Sequence, residues 1–235
     1  MKARNRHLTI GTYNIHSGIG ADGRLNPERI AQVLQEIDAD VVALQEVEHH
    51  PVNSGDMLDY LAAKTGLTAI AGPTLQRETR HYGNALLTRL SILSLDQIDL
   101  SLPRHEPRGA IHATLDWHGK RLQVVATHLG LRPGERRQQV RRLLALFETS
   151  TAETSVLLGD INEWLLWGRP LRWLHWYFEP TPSLRTFPAR FPVFALDMIR
   201  VHPRAALTNI ETHDTPLARL ASDHLPLKAQ LASAV

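Results

Sequence analysis

Ser155-Val156-Leu157-Leu158-Gly159-Asp160-Ile161-Asn162 reads as an apolar strand running into a polar end. Alternate side chains of a strand share a face, so Val156, Leu158 and Asp160 point one way, and Asn162 joins them if the strand persists. A carboxylate flush with an apolar face is costly unless it is paired or belongs to a site. Gly159 lets the backbone approach a ligand closely. The ordinary alternative is that Gly159-Asp160 opens a turn and Asn162 caps the next helix.

Working outward, Arg121 to His128 and Ala110 to Trp117 read as a hairpin across His118-Gly119. His128 shares a face there with Val124 and Ala126. Leu8 to His16 alternates, with Leu8, Ile10, Thr12 and Asn14 on one face. Asp40 to Val47 is a short apolar strand that places Glu46 where the apolar run stops. Further strands are expected at 69–71, 85–89, 92–100, 195–201 and 226–231. Asn26-Pro27-Glu28 has the cap and proline of a helix start, and Ile30, Val33, Leu34 and Ile37 follow at helical spacing. Helices are also expected over about 57–64, ending at Gly66, and about 135–148. So many strands with few helices between them argue against a simple βαβ repeat. They predict an α/β sandwich: two mixed sheets packed face to face with helices outside.

The chain has 235 residues, 26 Lys and Arg against 24 Asp and Glu, and no cysteine. A chain of this length buries roughly 70% of the surface its unfolded state exposes and needs no disulfide staple. No Ser/Gly/Pro-rich linker divides it, which predicts one domain over 1–235. The absence of cysteine excludes thiolate metal sites and a cysteine nucleophile. The formal charge of +2 gives no global field of the kind that marks many nucleic-acid binders. The basic stretch Met1 to Arg6 leads into strand-like sequence and not into a signal-peptide core, and no apolar run spans a bilayer; the expected location is cytoplasmic.

The polar residues at strand ends are the candidates for chemistry. Glu46 is a natural ligand for a hard cation, and the amide oxygen of Asn14 suits the same ion. Alone, Glu46 is an end-of-strand charge and Asn14 a turn residue. Asp197 begins Asp197-Met198-Ile199-Arg200-Val201; beside His224 it would fix that ring's tautomer and raise its pKa, or it forms an ordinary salt bridge with Arg200 or Arg204. A lone His128 is most simply a satisfied edge residue.

Taken in order, the motifs Thr12-Tyr13-Asn14-Ile15, Leu44-Gln45-Glu46, Tyr82-Gly83-Asn84-Ala85-Leu86, Thr127-His128-Leu129, Gly159-Asp160-Ile161-Asn162, Leu196-Asp197-Met198-Ile199 and Ser222-Asp223-His224-Leu225-Pro226 resemble the endonuclease/exonuclease/phosphatase superfamily. The resemblance covers Leu8 to Leu231 and implies a four-layer α/β sandwich. It implies a metal-dependent phosphoesterase using Mg²⁺ or Mn²⁺. By position, Glu46 would bind the metal, with Asn14 and Asp223 as direct or water-mediated ligands. Asp160, helped by Asn162, would orient and deprotonate water. His224, held by Asp197, and His128 would bind the non-bridging phosphate oxygens. Tyr82, Asn84 and Arg108 are weaker candidates for phosphate contact. Asp160 and His224 both stay open as the formal base, and one or two metals stay open as well. The alternative is a non-catalytic binding module that keeps the fold.

Glu163 to Phe194 is the distinctive segment. It carries Trp164, Trp167, Trp173 and Trp176 with interleaved arginines, and it follows Asp160 directly. One reading is core, with Pro170 opening a helix that turns Leu171, Leu174 and Phe178 inward. The others are a surface that stacks unpaired bases or a peripheral contact with a membrane. The substrate is accordingly a phosphoester of nucleic acid or of a phospholipid or inositol phosphate.

Overall fold

The computed structural model describes residues 7–48, 51–52, 55–77 and 80–232. Met1 to Arg6, with its basic charge, lies outside them. Two mixed sheets face each other, and helices cover both outer faces, giving the four layers expected.

The first sheet contains β1 (His7–Asn14), β2 (Val41–Glu48), β5 (Thr68–Arg77), β6 (Arg80–Thr88), β12 (Leu207–Thr212) and β13 (Leu227–Ala232), in the order β12-β13-β1-β2-β6-β5. The second contains β7 (Ser91–Asp99), β8 (Gly109–Trp117), β9 (Lys120–His128), β10 (Thr154–Asp160) and β11 (Asp197–His202), in the order β11-β10-β9-β8-β7. Two-residue strands β3 (Pro51–Val52) and β4 (Gly55–Asp56) pair beside them. Each large sheet has one parallel pair, β1 with β2 and β9 with β10.

Alternation in these strands sorts the apolar side chains. Leu8, Ile10, Val41 and Ala43 of the first sheet meet Val124, Ala126, Val156 and Leu158 of the second in the central core. The opposite faces of β2 and β6 pack Val42, Leu44, Ala85 and Leu87 against α1 (Pro27–Ile37), α2 (Met57–Thr65) and α5 (Pro216–Ala221). Val125 and Leu157 pack against α3 (Pro133–Glu148) and α4 (Arg169–Phe178). As in one of the readings of the aromatic segment, α4 buries Leu171, Leu174 and Phe178.

The helix ends follow their sequence signals. Asn26 Oδ1 accepts from Arg29 N at 3.3 Å ahead of Pro27, and α2 stops at Gly66 with φ 70°. Strands β5 and β6 extend further toward one another than 69–71 and 85–89 suggest, because each completes the other's ladder. Edge strand β12 and short helix α5 are additions to the expected elements.

Candidate active site

The polar ends of the two parallel pairs meet at one end of the central core. Asn14 continues the face of Ile10 and Thr12, so its side chain points toward the second sheet. Glu46 does not belong to that face by simple alternation. Val42 and Leu44 point to the helices, and Glu46 would follow them. The β2–β6 pairing breaks register between Leu44 and Val47, and Glu46 takes a left-handed φ of 57°. This bulge turns the carboxylate back, and Asn14 Nδ2 donates to Glu46 Oε1 at 3.1 Å. A left-handed conformation at a non-glycine residue costs about 1–2 kcal/mol. Gln45 occupies the inward position instead, where its Oε1 accepts from Thr12 Oγ1 at 3.2 Å.

From the second sheet come His128 and Asp160, which are register partners at the ends of β9 and β10. Both are buried, with His128 Nε2 3.5 Å from Asp160 Oδ2. Asn14 Nδ2 also donates to Asp160 Oδ2 at 3.2 Å, so one amide ties the two sheets' carboxylates together. The strand stops at Asp160. Asn162 reaches the site through a turn, with φ 52°, its N–H on Asp160 Oδ1 at 2.9 Å and its Nδ2 3.0 Å from His128 Nε2. The turn therefore replaces the strand's persistence through Asn162, but Asn162 caps no helix: α4 follows only at Arg169, with Gly168 as its cap. Gly159 is corrected as well. A Cβ there would lie 1.9 Å from the Thr127 carbonyl oxygen, so glycine is required by the neighbouring strand and not by a ligand.

Asp197 is the cross-strand partner of Asp160 on β11. Its Oδ2 lies 2.7 Å from His224 Nδ1, and His224 Nε2 lies 3.8 Å from Asp160 Oδ2. Asp197 is buried, and its partner is His224, not Arg200 or Arg204. Ser222 Oγ donates to the Asn14 carbonyl at 2.7 Å and anchors the segment that delivers His224. Asp223 is half-exposed and faces His16, with Oδ1 3.7 Å from His16 Nδ1.

Arg108 is buried against His128, with Nη1 3.2 Å from Nδ1, and donates to Glu106 Oε2 at 3.0 Å. Tyr82 hydrogen-bonds to Glu46. Asn84 spends its amide on the Gly109 carbonyl at 2.9 Å, which crosses from one sheet to the other. Sequence reasoning assigned no role to Glu106, His16 or Ser222. Ser222 opens the last of the motifs, and Glu106 and His16 stand within two residues of Arg108 and Asn14.

Burial sets the electrostatics. Burial and the Asp197 carboxylate raise the Asp160 pKa to about 7. Burial alone would lower His224, but Asp197, Asp160 and Asp223 override it and the ring is pushed up to about 10. Burial, the Arg108 guanidinium and His224 push His128 well below its ordinary value. The site thus pairs a cationic imidazole with a neutral one around a carboxylate poised near neutrality. Burial and Glu46 hold the Tyr82 phenol protonated.

Two donor sets could hold a cation. Among the described residues, Asp160, Asp197 and His224 bring ligand atoms within 4.8 Å of one another. The buried Asp197 Oδ1 has no hydrogen-bond partner there. The sequence named a second set, Glu46 with Asn14 and Asp223. There a strained backbone aims the Glu46 carboxylate inward, but Asn14 presents Nδ2 to it and turns Oδ1 to His16 N at 3.1 Å, so the amide oxygen is not offered as expected.

The strand ends of a two-sheet α/β sandwich thus gather carboxylates, amides and imidazoles at one edge of the interface. The endonuclease/exonuclease/phosphatase family profile matches residues 11–224, and the chain belongs to that family. Its members are generally metal-dependent phosphoesterases. The chain is 31% identical to the uncharacterized protein YbhP of Escherichia coli K12, over 94% of each chain. It resembles an endonuclease/exonuclease/phosphatase from Bacteroides vulgatus with a TM-score of 0.78 at 20% identity, over 96% of this chain and 98% of that one. It also resembles D. rerio TDP2 in complex with a single-strand DNA product, with a TM-score of 0.73 at 16% identity, over 97% of this chain and 100% of that one.

Proposed function

We propose that this protein hydrolyses phosphoesters by in-line attack of an activated water, with a divalent cation, Mg²⁺ or Mn²⁺, as cofactor. The observation that carries this reading is the Asn14 amide held between Glu46 and Asp160, one carboxylate from each sheet. Glu46 and Asp223 are assigned to the cation as hard oxygen donors of the kind Mg²⁺ takes. Asn14, whose Oδ1 accepts from His16 N at 3.1 Å, orients the Glu46 carboxylate through its Nδ2 instead of ligating the ion. The Asp160, Asp197 and His224 set is assigned to proton and phosphate handling, because the His224 ring nitrogen is already committed to Asp197.

A cation held there would neutralise charge on the phosphate oxygens. The remaining work falls to the protein. Asp160, with a pKa near 7, accepts the proton of the attacking water. The Asn162 backbone N–H fixes the carboxylate that does so. His224 is protonated at neutral pH, so it serves as a cationic donor to a non-bridging oxygen and not as the base. His128, kept neutral and held by Arg108 at Nδ1 and Asn162 at Nε2, is assigned to the wall beside a second phosphate oxygen. Phosphoryl transfer is mostly positioning and charge stabilisation, which suits fixed donors on strand ends.

Family members act on nucleic acid as well as other phosphoesters, and TDP2 was captured with single-strand DNA. That supports nucleic acid as one substrate class to test, beside phospholipid and inositol phosphate. The test is turnover of bis-p-nitrophenyl phosphate with Mg²⁺ or Mn²⁺, with and without chelator. Loss of turnover with chelator and in Asp160→Ala is the expected result. Equal rates in all three would overturn the reading, and metal binding with no turnover of any phosphoester would favour a binding module.

A further inference from the structure

Beside the site stands an exposed apolar rim that the chemistry does not use. Leu165, Leu166 and Trp167 are 50%, 57% and 72% exposed, and across from them Phe191 and Val193 are 79% and 55% exposed. These side chains are presented by built loops. Buried Glu163 anchors the first, held by Arg136 at 3.3 Å and accepting from Leu165 N at 3.2 Å. Gly168 closes that loop against Glu163, since a Cβ there would lie 2.5 Å from the carboxylate carbon. The second loop is a tight reversal, in which Val193 N and Phe194 N both donate to the Phe187 carbonyl, at 2.9 and 2.8 Å.

The rim is continuous with the catalytic ring. Trp164 packs edge-on to Phe194 at 4.8 Å and to Phe187 at 5.9 Å, and Phe187 packs on His224 at 4.8 Å. Arg136 also donates to the Leu131 carbonyl at 2.6 Å, which brings a further exposed apolar side chain, Leu131, to the same edge.

We infer that this rim docks on an anionic lipid bilayer and that the phosphoester taken there is a lipid headgroup phosphate. Composition selects the occupant. Trp167 and Phe191 could stack on unpaired bases, but Leu165, Leu166 and Val193 add exposed aliphatic surface that base stacking does not use. Aliphatic and aromatic side chains set among cations are what a bilayer interface accepts. Between Trp164 and Phe194 the sequence has four arginines and one acidic residue, Glu179, and Arg169 and Arg190 stand exposed in or beside the two loops. Such cations meet anionic headgroups favourably. The claim about the substrate rests on the phosphoester-hydrolase reading above. The docking claim does not.

The experiment is vesicle flotation of the full chain in chelator, with phosphatidylcholine vesicles and with phosphatidylcholine/phosphatidylserine vesicles. The variants are Leu165→Ser/Leu166→Ser and Phe191→Ser, all exposed positions outside the site. The wild type is expected to float with anionic vesicles, and each variant to bind them about tenfold more weakly or worse. Turnover of bis-p-nitrophenyl phosphate should be unchanged in the variants, while release of headgroup phosphate from vesicles falls with binding. No flotation of the wild type, or flotation equal in wild type and variants, overturns the inference. So does oligothymidylate binding that is lost in the same variants without vesicle binding, or a concentration-dependent dimer abolished by them without vesicle binding. If vesicles bind as expected but no phosphoester is turned over, the docking claim stands and the hydrolase reading fails.

Discussion

Nδ1 of His224 lies 2.7 Å from Oδ2 of Asp197, and the ring is buried beside a second carboxylate, Asp160. The folded pKa is raised to about 10 from an ordinary value of 6.5. Stability from the protonated ring is therefore fully present below about pH 6.5 and is lost as pH rises through about 10. In Asp197→Asn the strongest opposing charge is gone and burial acts with less opposition. The His224 resonance, followed by NMR in chelator, should titrate several units lower than in the wild type. An unchanged midpoint would remove Asp197 as the cause.

Asp160 gives the complementary prediction. Its folded pKa of about 7 lies above the ordinary 3.8, so its ionisation opposes folding. The stability associated with the protonated form is full below about pH 3.8 and lost as pH rises through about 7. Asp160→Asn should gain stability relative to wild type as pH goes from about 5 to about 8, by roughly 2–3 kcal/mol. Urea melts in chelator read this out, and turnover should be lost at every pH.

Glu46 carries backbone strain for its orientation. Glycine adopts its φ of 57° without penalty. Glu46→Gly should therefore keep or raise the thermal midpoint while losing about 10²-fold or more in turnover. Mn²⁺ titration should show a weakened site. A destabilised but metal-binding variant would contradict both the strain and the assignment.

Arg136 and Glu163 form a buried ion pair, each side chain 3% exposed. Arg136→Leu leaves a carboxylate buried and unpaired, and should cost about 3–5 kcal/mol in urea unfolding. The double variant Arg136→Leu/Glu163→Leu should recover part of that loss. A double variant as unstable as the sum of the singles would mean the pair does not couple.

Much of this arrangement was legible because strand alternation survives in the chain. Val156, Leu158 and Asp160, and Val124, Ala126 and His128, lie on the inward faces that period two assigns them. Other features depend on the whole fold. The bulge at Glu46 leaves no mark in Leu44-Gln45-Glu46-Val47, which looks like ordinary strand, because it is set by pairing with β6. Asn162 reaches the site by a turn whose alternative, a longer strand, fits the sequence equally well. β12 was missed because it is an edge strand whose side chains from Thr208 to Thr212 are half-buried or exposed, so no apolar face marks it. Short α5 did have its signals, Thr215 as cap with its Oγ1 accepting from Ala218 N at 3.1 Å and Pro216 next to it.

β1 runs antiparallel to β13, with Leu8 opposite Leu231 and Thr12 opposite Leu227. The strand that bears Asn14 is translated early, and its partner only after everything between them. Asp223 and His224 come just ahead of that late partner, so they are drawn over Asn14 only as β13 docks. On the reading proposed above, a chain ended before Asp223 lacks the imidazole that pairs with Asp197, so a truncated message is expected to yield a silent product and not a partly active one.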